Sequence, residues 1–209
     1  IYIFILIYIY IQMYNNFFKD NSYLDGKIIY LIANNPSIKN IDKIKNYDID
    51  DNSVVIRFNG DPKRLLKKIF VNRCDIMFYR SNHNGDFNNF RKGDLKNYKQ
   101  IVFTKFDNNN QVEINNSFEE ILNKLKFQNY NFSYLSSKNS KSSPTTGFGV
   151  LENIIENVTY SKLVLVGFTN LTRKNVKKNE KYGVHNLYNE NQYFQNHIIK
   201  NYPNIETID

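Results

Sequence analysis

Apolar residues along this 209-residue chain fall into short unbroken runs and into stripes at helical spacing, and the two patterns alternate. Residues 27–33, KIIYLIA, form a continuous apolar run with the β-branching of a strand buried on both faces. The following NNPSIKNIDKIKNY carries Pro36 at a first helical position and Ile38, Ile41 and Ile44 at every third residue, which predicts a polar turn and a short helix. SVVIRF, 53–58, is the next strand, ended by the turn signal NGD. CDIMFYR, 74–80, and QIVFTK, 100–105, are further strands, and SFEEILNKLKF is an amphipathic helix opened by a capping box of Ser117 and Glu120. A Ser-rich loop, 136–143, precedes a helix with Val150, Leu151, Ile154, Ile155 and Val158 on one face. KLVLVGF then reads as a buried strand, the last helix carries Leu187, Phe194 and Ile198 in one stripe, and NIETI adds a short edge strand.

Strands alternating with helices predict an α/β fold: a single Rossmann-like domain, residues 24–209, with a mostly parallel sheet flanked by helices. Ligands of such sheets sit at the carboxyl ends of the strands, near the point where strand order reverses. The loops to watch are therefore NNPS, NGD, SNHNGD and the segment after VLVGF, together with PTTG at the mouth of a helix. Residues 1–14 form a separate apolar N-terminal segment. Its uninterrupted apolar stretch of eleven residues is short of the ~18–20 that span a bilayer. It reads as an anchor stump or as a non-native extension preceding a natural start at Met13.

Composition narrows the classes. Hydrophobic content of 41% and aromatic content of 15% are those of a globular protein, and the excess of Asn, Lys, Ile, Tyr and Phe reflects a biased coding sequence, which lowers the value of any single Asn as a signal. A net charge of +8 favours anionic partners, whether nucleic acid, acidic membrane or a phosphorylated small molecule. The lone Cys74 excludes an intramolecular disulfide and a zinc site built on paired cysteines.

No Gly-x-Gly-x-x-Gly fingerprint, phosphate-binding loop, Gly-x-Ser-x-Gly elbow or His-Glu-x-x-His helix occurs. In SSPTTGFGVLENIIE, hydroxyls and a bare glycine stand at a helix start, where they serve either as caps or as an anion site for phosphate or carboxylate. His185 precedes Glu190 by five residues at a helix start, where the dipole disfavours the imidazolium and leaves a neutral ring able to accept a proton. The alternative is a surface His beside Asn caps. His83 and His197 lack such a context. Residues 169–181, with Arg173, Lys174, Lys177, Lys178 and Lys181, read as a solvated mobile segment or as a lid over an anionic donor. Asp48 and Asp50, spaced as in metal-dependent glycosyltransferases, precede the second strand and so belong to a solvated loop on the edge away from the site.

Taken in order, IIYLIANNPSIKNID…VVIRFNG, SPTTGFGVLENII and HNLYNE resemble the L, S and VS sialylmotifs of animal sialyltransferases and the corresponding segments of the bacterial lipo-oligosaccharide sialyltransferases. A lone cysteine does not allow the disulfide of the animal family, so the bacterial family is the closer match. The resemblance implies a GT-A-like sialyltransferase fold, a CMP-activated acidic sugar as co-substrate, a glycan or glycolipid acceptor, inversion at the anomeric carbon and no obligatory metal or other cofactor. It further implies that Asn34 or Asn35, with Ser37 and Asn59, contacts the CMP nucleotide, and that Thr145, Thr146 and Gly147 hold the cytidine monophosphate or the donor carboxylate. His185 would be the base, Glu190 would brace its segment, and Tyr182 would face the leaving phosphate. Where the bacterial family carries tyrosines after the strand matching VLVGF, this chain offers Thr169, Thr172 and basic residues.

The expected setting is the cytoplasm, with a peripheral membrane contact, or a Golgi-type anchor if the apolar N-terminus is a truncated signal-anchor. Two readings compete with the transferase: a basic protein binding nucleic acid or an anionic surface, which lacks an RNA-binding or helix-turn-helix motif to support it, and a catalytically inactive nucleotide-binding relative.

Overall fold

In a strand, alternate residues point to opposite faces, so an unbroken apolar run requires cover on both sides. A computed structural model describes residues 17–18, 22–33, 49–58, 73–80, 98–105, 132–136, 144–182 and 185–208. There β1 (Ile28–Ile32), β2 (Ser53–Phe58), β3 (Cys74–Arg80), β4 (Tyr98–Lys105), β5 (Phe132–Ser136), β6 (Lys162–Val166) and β9 (Ile205–Ile208) form a seven-stranded sheet. Two short strands between β6 and β9, β7 (Lys181–Tyr182) and β8 (His185–Asn186), pair separately and antiparallel. Every pairing in the large sheet is parallel, in the order β5-β4-β3-β2-β1-β6-β9. The α/β class expected from the sequence is present, with the parallel sheet as its frame.

Strand order steps outward from β1 to β5, then returns to the other side of β1 with β6. The reversal between β1 and β6 makes their carboxyl ends the natural ligand crevice. Helix α1 (Thr146–Asn157) makes the crossover from the β5 edge to β6, and a crossover helix runs back against its strands. Its N-terminus therefore lies at the carboxyl edge.

Two apolar layers enclose the sheet. On one face Ile29, Leu31, Val54, Ile56, Leu163 and Leu165 pack with Val150, Leu151 and Ile154 of α1 and with Phe194 and Ile198 from the C-terminal helical region. Tyr30, Ile32, Val55, Val164, Val166 and Ile208 pack on the other, with Ile49 against them. Phe17 and Phe18 also join the first layer, Phe18 stacking on Phe78 with ring centroids 5.8 Å apart, so the core reaches upstream of Leu24.

Charges gather at the amino edge. Asp75, 5% exposed, accepts from the Val55 N–H at 2.9 Å and pairs with Arg73 at 3.1 Å and Lys99 at 2.9 Å. Asp50 accepts from the Ser53 hydroxyl at 2.8 Å, holding the turn into β2. It sits at the edge expected from the sequence; Asp48 lies outside the described residues. Cys74 is buried, and burial pushes its thiol up to about 12. No helix among the described residues is long and apolar enough to cross a membrane.

Several short elements depart from the sequence pattern. β5 is a strand where the pattern led directly into a Ser-rich loop. The segment after β6 forms a single helical turn, α2 (Thr169–Thr172). α3 (Leu187–Tyr193) starts two residues after His185, which itself lies in β8, and runs into a π-helical stretch, Phe194–Ile198, before the closing turn α4 (Ile199–Asn201). The helices expected after Pro36 and Ser117 fall outside the described residues.

Candidate active site

The first turn of a helix leaves backbone N–H groups without intrahelical acceptors. At α1 the N-cap is Thr145, with φ −60° and ψ 150°, and its hydroxyl accepts from the Phe148 N–H at 3.3 Å. A second partner comes from far along the chain. Glu190 of α3 accepts the Thr145 N–H at 2.7 Å with Oε1 and the Thr145 hydroxyl at 2.9 Å with Oε2. The capping reading of the Thr-Thr-Gly corner is present, and the N–H and hydroxyl of the cap residue itself are taken up by the chain's own carboxylate.

Gly147 serves a different need. Its φ is not in the left-handed region; what matters is space. A Cβ there would stand 2.8 Å from Cε1 of Phe168, which follows β6, and 3.8 Å from Phe58, the last residue of β2. The corner is therefore pressed against the carboxyl ends of β2 and β6. Gly167 assists with φ 72°, turning the chain out of β6 so that Phe168 can reach the helix. Gly147→Ala is expected to destabilise the fold by about 1–3 kcal/mol, since the 8%-exposed Phe168 ring has little room to move. A melting temperature unchanged from wild type would show that the ring yields freely.

His185 lies opposite Tyr182 in the β7–β8 pairing and is 8% exposed. Asn186 follows and caps α3, its Oδ1 accepting from the Asn189 N–H at 3.1 Å. One turn later comes Glu190. The backbone from His185 to Glu190 is thereby tied to Thr145, so the S-like and VS-like segments meet directly through this one pair. Asn34, Asn35, Ser37 and Asn59 lie outside the described residues; they follow β1 and β2 in sequence. His83 lies outside them too, and His197 is exposed beside the Tyr193 ring, at 4.9 Å between centroids.

Glu190 is 5% exposed, and burial raises its pKa from the ordinary 4.5 to about 7, against the opposing pull of the two Thr145 hydrogen bonds. Glu152 on α1 is also raised to about 7, by burial first and then by the negative charges of Glu156 and Glu190. The outcome is a site whose internal anion can shed its charge near neutrality.

The segment after β6 is held rather than loose. Asn191, 1% exposed, directs its amide Nδ2 at the carbonyls of Asn170, Leu171 and Arg173, at 3.1, 2.8 and 3.1 Å. Gln195 adds a bond from Nε2 to the Leu171 carbonyl at 2.7 Å. Arg173 is paired with Glu180, whose carboxyl the contact holds below its usual range, and Glu180 also accepts from the Lys177 N–H at 3.3 Å. Neither Asn191 nor Gln195 stood out in the sequence. In a chain this rich in Asn, a single amide carries no signal until its three carbonyl partners are seen.

The arrangement places the His185 imidazole in the same local substructure as a helix N-terminus and a basic loop. Among the described residues no three His, Cys, Asp or Glu side chains converge as a metal site. No known protein family and no curated protein matches the chain.

Proposed function

We propose that the chain is an inverting glycosyltransferase that moves a sialic acid, or a similar acidic sugar, from a CMP-activated donor to a hydroxyl of a glycan or glycolipid. His185 accepts the proton of the acceptor hydroxyl as that oxygen attacks the anomeric carbon. The bond from this carbon to the CMP phosphate breaks on the opposite face, and CMP leaves with the electron pair. Charge on the departing phosphate is met by donors at the α1 corner and by the basic segment after β6, without an obligatory metal. Asn34 or Asn35, Ser37 and Asn59 grip the nucleotide, Thr146 and Gly147 border it, and Tyr182 faces the phosphate.

One observation carries this reading: the Glu190–Thr145 contact, which joins two motifs 45 residues apart at the carboxyl edge of the sheet. It supports the bracing role that the resemblance implies for Glu190. It also spends the Thr145 N–H and hydroxyl, so the donor is left to the neighbouring positions. A peripheral membrane contact of the basic surface suits a glycolipid acceptor.

The test is a titration with CMP followed by a CMP-sialic acid hydrolysis assay in excess EDTA. Micromolar-range CMP binding with turnover that survives EDTA is expected. CMP binding without turnover of any CMP-sugar would point instead to an inactive nucleotide-binding relative. Salt-sensitive binding to oligonucleotides, indifferent to CMP, would point to the nucleic-acid reading.

A further inference from the structure

Two adjacent residues of α3 reach in different directions. Glu190 holds the mouth of α1, and Asn191 holds the loop after β6. We infer that Asn191 is a positioning residue: it fixes the cationic loop 169–181 beside the α1 corner as one wall of the anion site, a role that rests on the transferase reading for its donor and on geometry alone for its staple.

The geometry of the staple is specific. Three carbonyls converge on one amide nitrogen, and Gln192 Nε2 donates to Asn191 Oδ1 at 3.3 Å, which sets the orientation of the amide. The carbonyls belong to α2 and to Arg173, so the staple fixes where the basic stretch begins. Beyond it Lys174, Lys177 and Lys178 are exposed, and none makes an ion pair among the described residues. The Nε of Arg173 is buried and has no hydrogen-bond partner there either. The charge of this guanidinium is met by Glu180 through Nη2, so what is left unmet is the Nε–H alone, a buried donor for which a phosphate oxygen is a fitting acceptor. Because the loop leaves β6 at the strand-order reversal, this unmet donor and the free lysines stand on the edge where a nucleotide phosphate would bind.

Holding such a loop in place before the ligand arrives removes part of the ordering cost of binding. The effect therefore falls on donor affinity more than on the chemical step. Glu190 and Asn191 together make α3 the common support for both walls.

Asn191→Asp keeps the shape and replaces two N–H donors with a carboxylate facing carbonyl oxygens. Trypsin should then cut after Lys174, Lys177 and Lys178 at least tenfold faster than in wild type, and the KM for CMP-sialic acid should rise about tenfold with kcat changed less than threefold. Gln195→Met, which removes a single bond, should shift both in the same direction by a smaller factor and serves if the first variant does not fold. Unchanged cleavage in a folded variant overturns the staple, whatever the enzyme does. Faster cleavage with an unchanged KM overturns the donor-facing role. A wild-type chain that neither binds CMP nor hydrolyses any CMP-sugar defeats the transferase reading and the donor role with it, and proteolysis then decides the staple by itself.

Discussion

Replacing His185 with alanine is expected to lower CMP-sugar turnover by about 10²–10⁴-fold while CMP binding stays within about twofold of wild type. The asymmetry follows from the assigned role. A general base acts on the acceptor hydroxyl in the transition state, so its removal raises the barrier without removing a contact to the nucleotide. His185 is buried in β8 beside the cap of α3, so the variant needs a melting curve to show that the segment is still formed. His185→Asn fills more of the space and still accepts no proton at neutral pH; it should show the same loss. Turnover within threefold of wild type in either folded variant would remove His185 from the mechanism.

Glu190→Gln is expected to melt above wild type at pH 8 and to lose that advantage at pH 5. In the unfolded chain Glu190 titrates near the ordinary 4.5; in the folded chain it titrates near 7. Below the lower value both forms are protonated and folding carries no penalty from this group. Between the two, only the folded form holds the proton, so stability falls as pH rises; above about 7 the whole cost of a buried charge is present. One pKa unit corresponds to ~1.4 kcal/mol, which puts that cost at about 3 kcal/mol. Glutamine keeps an oxygen for the Thr145 N–H and offers N–H to its hydroxyl, at no charge. For a chain of this length the gain corresponds to a rise of about 5–10 °C at pH 8. Glu152 shifts in the same direction, so Glu152→Gln is measured beside it to separate the two carboxyls. A difference between wild type and Glu190→Gln that is equal at pH 5 and pH 8 would show that Glu190 is ionised throughout.

How much could be read in advance depended on the length and polarity of each segment. β1 and β6 are apolar on both faces, and β2 and β3 nearly so apart from Ser53, Arg57, Asp75 and Arg80, a pattern that admits few alternatives once strands and helices alternate. β5 was hidden because FSYLS is only half apolar and runs into serines, as an edge strand can. α2, β7 and β8 are too short for any periodicity to register. Of the candidate site, Thr145 as a cap was legible because capping is local: the hydroxyl and the Phe148 N–H it meets are three residues apart. The resemblance gave Glu190 a bracing role for the His185 segment but did not name Thr145 as its partner, and the Asn191 staple had no signal at all.

The chain by itself determined its class, the strands β1 to β4, β6 and β9 and the capped start of α1, because burial of alternating or periodic apolar side chains is settled by near neighbours along the backbone. Tertiary structure decided which distant polar groups meet: Glu190 with Thr145, Asn191 with α2, and the missing Cβ of Gly147 with Phe168. Those contacts depend on the path of the β1–β6 reversal, and no local pattern encodes a distance across it.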